Sequence, residues 1–154
     1  MKGDPKVIEA LNFLLADELT AIDQYIVHAE MLANWGYTKL QGVTEQRSRA
    51  EMKHVEQLIE RILFLEGIPI VTNRNAVHIG STVEDMLKND HTAELGAIQG
   101  YNERIPIVTQ FGDNGTKEML DAILQQEEDH IDYIEHELDE IAQMGIQNYL
   151  MTIV

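Results

Sequence analysis

Shifted by 76 residues, this chain matches itself, and the matched positions include charged side chains lying within apolar stripes. ELTAIDQY, Glu18 to Tyr25, falls on ELGAIQGY, Glu94 to Tyr101, with five of eight positions identical. At the same offset EMKH, Glu51 to His54, falls on EEDH, Glu127 to His130. Val55, Leu58 and Ile62 then coincide with Ile131, Ile134 and Leu138. Shared helical rhythm explains matching Leu and Ile; it does not explain the matched Glu and His. A fold built on this repeat has two related halves and approximate two-fold symmetry.

Each half reads as two long helices. Asp4 and Pro5 are a cap and a first-turn residue, and Val7, Ile8, Leu11, Leu14, Leu15, Leu19, Ile22 and Ile26 keep a 3.6-residue period up to Trp35-Gly36. A second helix is expected from about Lys39 to Glu66, ended by Gly67-Ile68-Pro69. Gly67 to Ser81 has no helical period and reads as a long connection. A third helix, capped by Ser81 or Thr82, carries Val83, Leu87, Leu95, Ile98 and Ile105, with a kink expected at Pro106. Gly112-Asp113-Asn114-Gly115 reads as a turn, a fourth helix runs from about Thr116 to Met144, and IQNYLMTIV forms a short final one. The expectation is an all-α four-helix bundle over residues 1–154, one domain, with a long crossover between the second and third helices and a short fifth helix.

Within those stripes Glu18 lies between Leu14 and Ile22, and Glu94 between Leu87 and Ile98. Glu51 and His54 share a face that continues into Leu58, Ile62 and Leu65, and Glu127 and His130 precede Ile134, Leu138 and Ile141 in the same way. Burying four unpaired carboxylates would cost several kcal/mol each or force them to protonate. No Lys or Arg stands in the stripes at that level, so the compensating charge is expected to be metal. Two divalent ions balance four Glu, with one neutral His for each ion. An oxygen and imidazole donor set without thiolate suits iron or manganese, with zinc as competitor. Polar core residues satisfied by one another are the plainer alternative.

Composition narrows the classes further. The chain has 27 acidic against 11 basic residues, a formal charge of −16, which disfavours nucleic acid and suits cations or mere solubility. It has no cysteine, so disulfides, thiolate nucleophiles and Cys-bound iron–sulfur clusters are excluded. No apolar run approaches a membrane span, and MKGDPKVIEALN lacks the apolar core of a signal peptide; the expected location is the cytoplasm.

MKGDPKVIEALN, DQYIVHAEMLANWG, EMKHVEQLIERILFLEGIP and EEDHIDYIEHELDEIAQMGIQNYL together closely resemble the bacterioferritins, the haem-containing bacterial ferritins. The resemblance runs almost the whole chain and is weakest from Ala97 to Lys117. It implies a ferritin-like fold and a 24-subunit shell of two-fold dimers that oxidises ferrous iron with dioxygen or peroxide and stores ferric mineral. It assigns Glu18, Glu51 and His54 to one iron and Glu94, Glu127 and His130 to the other, with Glu51 and Glu127 bridging. A di-iron oxidase or peroxidase without mineral storage is the alternative within the fold, and a metal-free bundle the alternative outside it. Tyr25, seven residues from Glu18, is implied near the metals, to hydrogen-bond a ligand or donate an electron. Tyr101 repeats it, and an ordinary core tyrosine is the simpler reading of both.

Met52 points about 100° away from Glu51, out of the bundle; by itself it reads as interface filler. The resemblance implies that it binds haem b iron across a two-fold axis, with an iron–sulfur ferredoxin as electron donor for iron release. His28, His78 and His136 read as solvated, and His91 as a neighbour of the metal ligands. Glu66, Asp132 and Asp139 read as an exposed face or as pore acids. Gln46 and Ala50 stand where some bacterioferritins carry His and an acidic residue, and Asn148 and Met151 resemble four-fold-axis residues.

Overall fold

A computed structural model describes residues 1–154. It contains five helices: α1 (Pro5–Trp35), α2 (Thr38–Phe64), α3 (Val83–Gln110), α4 (Asn114–Met144) and α5 (Ile146–Thr152). α1 begins where Asp4 accepts the Lys6 amide at 2.8 Å and ends at Gly36, whose φ of 85° is the left-handed conformation that closes a helix at low cost. α3 is capped by Thr82, and α4 by Asp113, which accepts the Thr116 amide. Asn114 and Gly115, expected in a turn, already belong to α4. Pro106 lies inside α3 without ending it.

α1 and α2 form one antiparallel hairpin and α3 and α4 the other, with α1 packed along α3. The second and third helices are joined by residues 65–82, which carry no helix or strand. Gly80 brings this crossover against the start of α3: a Cβ there would lie 2.3 Å from the Met86 amide nitrogen, so no larger residue fits.

The apolar core falls into two clusters. One includes Leu11, Leu14, Leu58, Ile62, Leu120 and Ile123, and the other Leu32, Leu40, Met86, Leu87, Ile134 and Tyr149. The stripe of α3 differs from its sequence reading, since Leu95 is 49% exposed and Met86, Asp90 and Val108 are buried beside the expected Glu94 and Tyr101. Ile26 of α1 is exposed as well. In each case the exposed residue lies one position, about 100°, round from a buried seven-residue repeat, Leu87, Glu94, Tyr101 and Val108 in α3 and Leu11, Glu18, Tyr25 and Leu32 in α1. α5 is fastened through buried Tyr149, whose hydroxyl donates to Glu137. No helix is long and apolar enough to cross a membrane.

Candidate metal centre

Between the two apolar clusters the bundle holds a layer of charged groups. Glu18 enters it from α1, Glu51 and His54 from α2, Glu94 from α3, and Glu127 and His130 from α4. All four carboxylates and His54 are buried, while the His130 side chain is 18% exposed. Each Glu-x-x-His pair meets because residues three apart share a helix face.

The groups divide into two sets of four, Glu18, Glu51, His54 and Glu127 in one and Glu51, Glu94, Glu127 and His130 in the other, each with one donor atom per residue within 4.8 Å of the rest. Glu51 and Glu127 belong to both, and each splits its oxygens between them. Nδ1 of His54 lies 2.9 Å from Glu51 Oε2 and 3.0 Å from Glu127 Oε1. Nδ1 of His130 lies 3.1 Å from Glu51 Oε1 and 3.3 Å from Glu127 Oε2. Glu18 Oε2 completes the first set at 3.4 Å from His54, and Glu94 Oε1 the second at 3.7 Å from His130. The imidazole rings stack at 6.3 Å between centroids.

Electrostatically this layer is in deficit. Burial pushes the Glu18 carboxyl up to about 8, with the charge of Glu51 adding to it. Burial likewise pushes Glu94 up to about 7, with Glu127 adding to it and His130 opposing. Burial would lower both imidazoles, but it is outweighed. The close carboxylates of Glu127 and Glu51 carry His130 up to about 11, and those of Glu127, Glu18 and Glu51 raise His54 as well. Protons thus stand where cations are wanted. Even so, Glu51 Oε1, Glu94 Oε2, Glu127 Oε1 and His130 Nδ1 are buried without a hydrogen-bond partner. Buried polar atoms are rarely left so. Four orphaned donors converging from three helices, all oxygen or imidazole nitrogen, fit divalent metal of the iron or manganese type.

Hydrogen bonds around the layer aim its members. Gln126 Oε1 accepts from His54 Nε2 at 3.0 Å, which turns the lone pair of Nδ1 towards the carboxylates when that nitrogen is unprotonated. Tyr25 donates to Glu94 Oε1 at 2.6 Å, and Tyr101 donates to Glu18 Oε1. A cavity of about 380 Å³ between α1, α3 and the crossover runs from exposed Asn75, His78 and Glu103 down to the four carboxylates. Met52, on the α2 turn that carries Glu51, is 45% exposed and points away from the layer.

Several sequence readings are corrected here. His28 is fully buried: its Nδ1 pairs with Asp90 at 2.8 Å, and its Nε2 accepts the Gly80 amide at 3.0 Å. Gln24 joins the same group, donating to Asp90 and accepting the His78 amide. Arg47, one turn before Glu51 in the same stripe, is buried with its guanidinium 3.8 Å from Asp90, so a basic residue does stand just beside the charged layer. The sequence reading passed over Arg47, although its position four residues before Glu51 was the signal that could have found it. His91 faces outward to Glu135 at 2.9 Å. His78, His136, Glu66, Asp132, Asp139, Asn148 and Met151 are exposed.

A family model described as a ferritin-like domain matches residues 8–144. The chain is 42% identical over 154 residues to bacterioferritin of Streptomyces coelicolor, covering 100% of this chain and 92% of that one. It is 41% identical over 149 residues to bacterioferritin of Brucella melitensis, covering 97% and 92%. With bacterioferritin BfrA of Mycobacterium tuberculosis it shares 36% identity, covering 97% and 94%.

Proposed function

The chain belongs to the bacterioferritin family of ferritin-like proteins, and on that premise we propose that it stores iron and oxidises ferrous ions at the buried carboxylate–histidine layer. The observation that carries this reading is the pair of donor sets sharing Glu51 and Glu127, with four buried donor atoms left unpartnered. Ferrous iron is the substrate. Glu18, Glu51 and His54 hold one ion, Glu94, Glu127 and His130 the other, and Glu51 and Glu127 serve both. Each ion gives one electron to dioxygen or peroxide. The four carboxylates favour that loss, because ferric iron carries one more positive charge opposite the same fixed negative charges. Tyr25, bonded to Glu94, keeps that ligand in place.

Residues 1–154 act as one domain in this reading, and 24 copies close into a cytoplasmic shell of two-fold dimers around the mineral. Met52 offers an exposed thioether with no polar partner, one half of what a haem iron held between two copies requires. Haem bound there would supply electrons, received from an iron–sulfur ferredoxin, for reducing stored iron. The chain's own part is the exposed sulfur of Met52.

Ferrous iron added in air to iron-free protein tests the reading. It should give a ferric core inside particles of about 420 kDa, as 24 chains of 17.5 kDa require. Oxidation without a core would favour a di-iron oxidase or peroxidase instead. Met52→Leu should abolish the haem Soret band and leave ferrous oxidation unchanged; a surviving band would place the haem elsewhere.

A further inference from the structure

Glu18 and Glu94 sit seven residues before Tyr25 and Tyr101, yet neither tyrosine bonds the glutamate of its own helix. Tyr25 of α1 donates to Glu94 of α3, and Tyr101 of α3 donates to Glu18 of α1. The exchange follows from the packing, since α1 and α3 run antiparallel and the repeat places the same Glu and Tyr on both. Both rings are fully buried, and burial raises both phenols well above their ordinary value, which keeps them donors. A buried phenol needs an acceptor. Of the four carboxylates in reach, the two phenols take the two terminal ones and leave the shared pair alone.

The result is an unequal division of oxygens. Glu51 and Glu127 turn one oxygen to each imidazole. Glu18 gives Oε1 to Tyr101 and turns Oε2 to His54. Glu94 gives Oε1 to Tyr25, and although that oxygen is the one 3.7 Å from His130, Oε2 is the oxygen left buried and unpartnered for an ion.

We propose that Tyr101 and Tyr25 are reciprocal positioning residues, each holding one oxygen of the opposite half's terminal glutamate so that it binds metal through the other oxygen alone. This rests on the di-metal reading above. A terminal carboxylate confined to one oxygen leaves each ion a coordination position that a two-oxygen carboxylate would fill. That vacant position is where an oxidant can approach, and the phenols keep it vacant from a distance, by orienting a ligand.

Anaerobic titration of the iron-free, assembled protein with Co²⁺ tests the proposal, because the visible ligand-field band weakens as the coordination number rises. The unaltered protein should bind two Co²⁺ per chain. Tyr101→Phe should still bind two but lose about half of the band, as one ion gains a ligand, and Tyr25→Phe should do the same at the other ion. The double variant should lose most of it. An unchanged band in all three variants overturns the proposal, as does loss of a bound Co²⁺, since the hydroxyl would then hold the site together rather than set its denticity. Failure of the di-metal reading looks different: the unaltered protein itself would not take up two ions.

Discussion

His54 has no exposed surface and donates its Nε2–H to Gln126. His130, its counterpart 76 residues on, is 18% exposed and makes no such bond. The repeat explains the difference. The residue that corresponds to Gln126 in the other half is Ala50, whose methyl group accepts nothing. Beside His130 there is also a hollow of about 200 Å³, lined by Gln46, Arg47, Asp129 and Tyr133. The two half-sites therefore present the same donors on different supports, one imidazole braced at Nε2 by Gln126 and the other without that brace. Duplication preserved the ligands and let the atoms behind them diverge, so the two metal positions should differ in affinity and exchange rate although their donor sets match.

The largest effect should come from removing what the halves share. Glu127→Ala takes an oxygen from both donor sets, and initial ferrous oxidation, followed by ferric absorbance, should fall by about 100-fold or more. Retention of one fast-oxidising ion would show that the halves work independently. Next, Gln126→Leu frees His54 and should weaken one of the two ions by about 10- to 100-fold in calorimetric titration, bringing it towards the other. Equal weakening of both would mean that Gln126 supports the layer as a whole. A smaller effect is expected from the reverse change. Ala50→Gln offers His130 the missing acceptor and should slow exchange of the second ion by several-fold, about 10-fold at most; faster exchange would remove Ala50 as the cause of the asymmetry.

The smallest effect is counted in single protons. Without metal, Glu18 and Glu94, at about 8 and 7, hold protons that their exposed forms would have lost near 4.5. His54 and His130 are raised too. Loading two divalent ions near pH 6 should therefore release about four protons per chain, falling towards two above pH 8 as the carboxylates ionise by themselves. A pH-stat titration reads this directly, and release of two protons at both pH values would contradict it. The same shifts make the metal-free fold less stable as pH rises. Below about 4.5 both carboxyls are neutral whether folded or not, and above 7 to 8 their buried charge opposes folding in full. The imidazoles act in the same direction, because their favoured proton is lost only at still higher pH.

A second asymmetry lies one turn from the metal layer. Gln24, His28, Arg47 and Asp90 form a buried polar group, and their repeat counterparts are Gly100, Arg104, Ile123 and Leu14. Ile123 and Leu14 are plain core residues. The polar group stands where the crossover passes, and His28 and Gln24 receive the amides of Gly80 and His78 from it. A connection that occurs once cannot obey a two-fold repeat. Its backbone amides need partners, and the bundle supplies them on one side only.

Helix boundaries, the crossover and the convergence of Glu18, Glu51, His54, Glu94, Glu127 and His130 were legible because they rest on local signals: Asp4 and Gly36 at the ends of α1, a 3.6-residue period, and a repeat carrying charge into apolar stripes. The solvated reading of His28 and the neighbouring role given to His91 failed for one reason. Which way a lone histidine faces is decided by the element packed against it, here Asp90 and Gly80 in one case and Glu135 in the other. Leu95 and Ile26 failed for another, since each stands one residue beyond a buried position, Glu94 or Tyr25, and apolar character alone does not say which of two neighbours meets the bundle.

By itself, then, the sequence determined four amphipathic helices, their pairing in two related hairpins, and six ionisable groups that had to share one buried layer. Periodicity and charge burial are properties of the chain, readable along each helix by itself. Tertiary structure decided the rest: that Glu51 and Glu127 divide their oxygens between two sites, that each tyrosine reaches across to the other half's glutamate, and that His54 is braced while His130 is not. Those relations join residues as many as 83 apart in the chain, and spacing along one helix holds no record of what stands on the next.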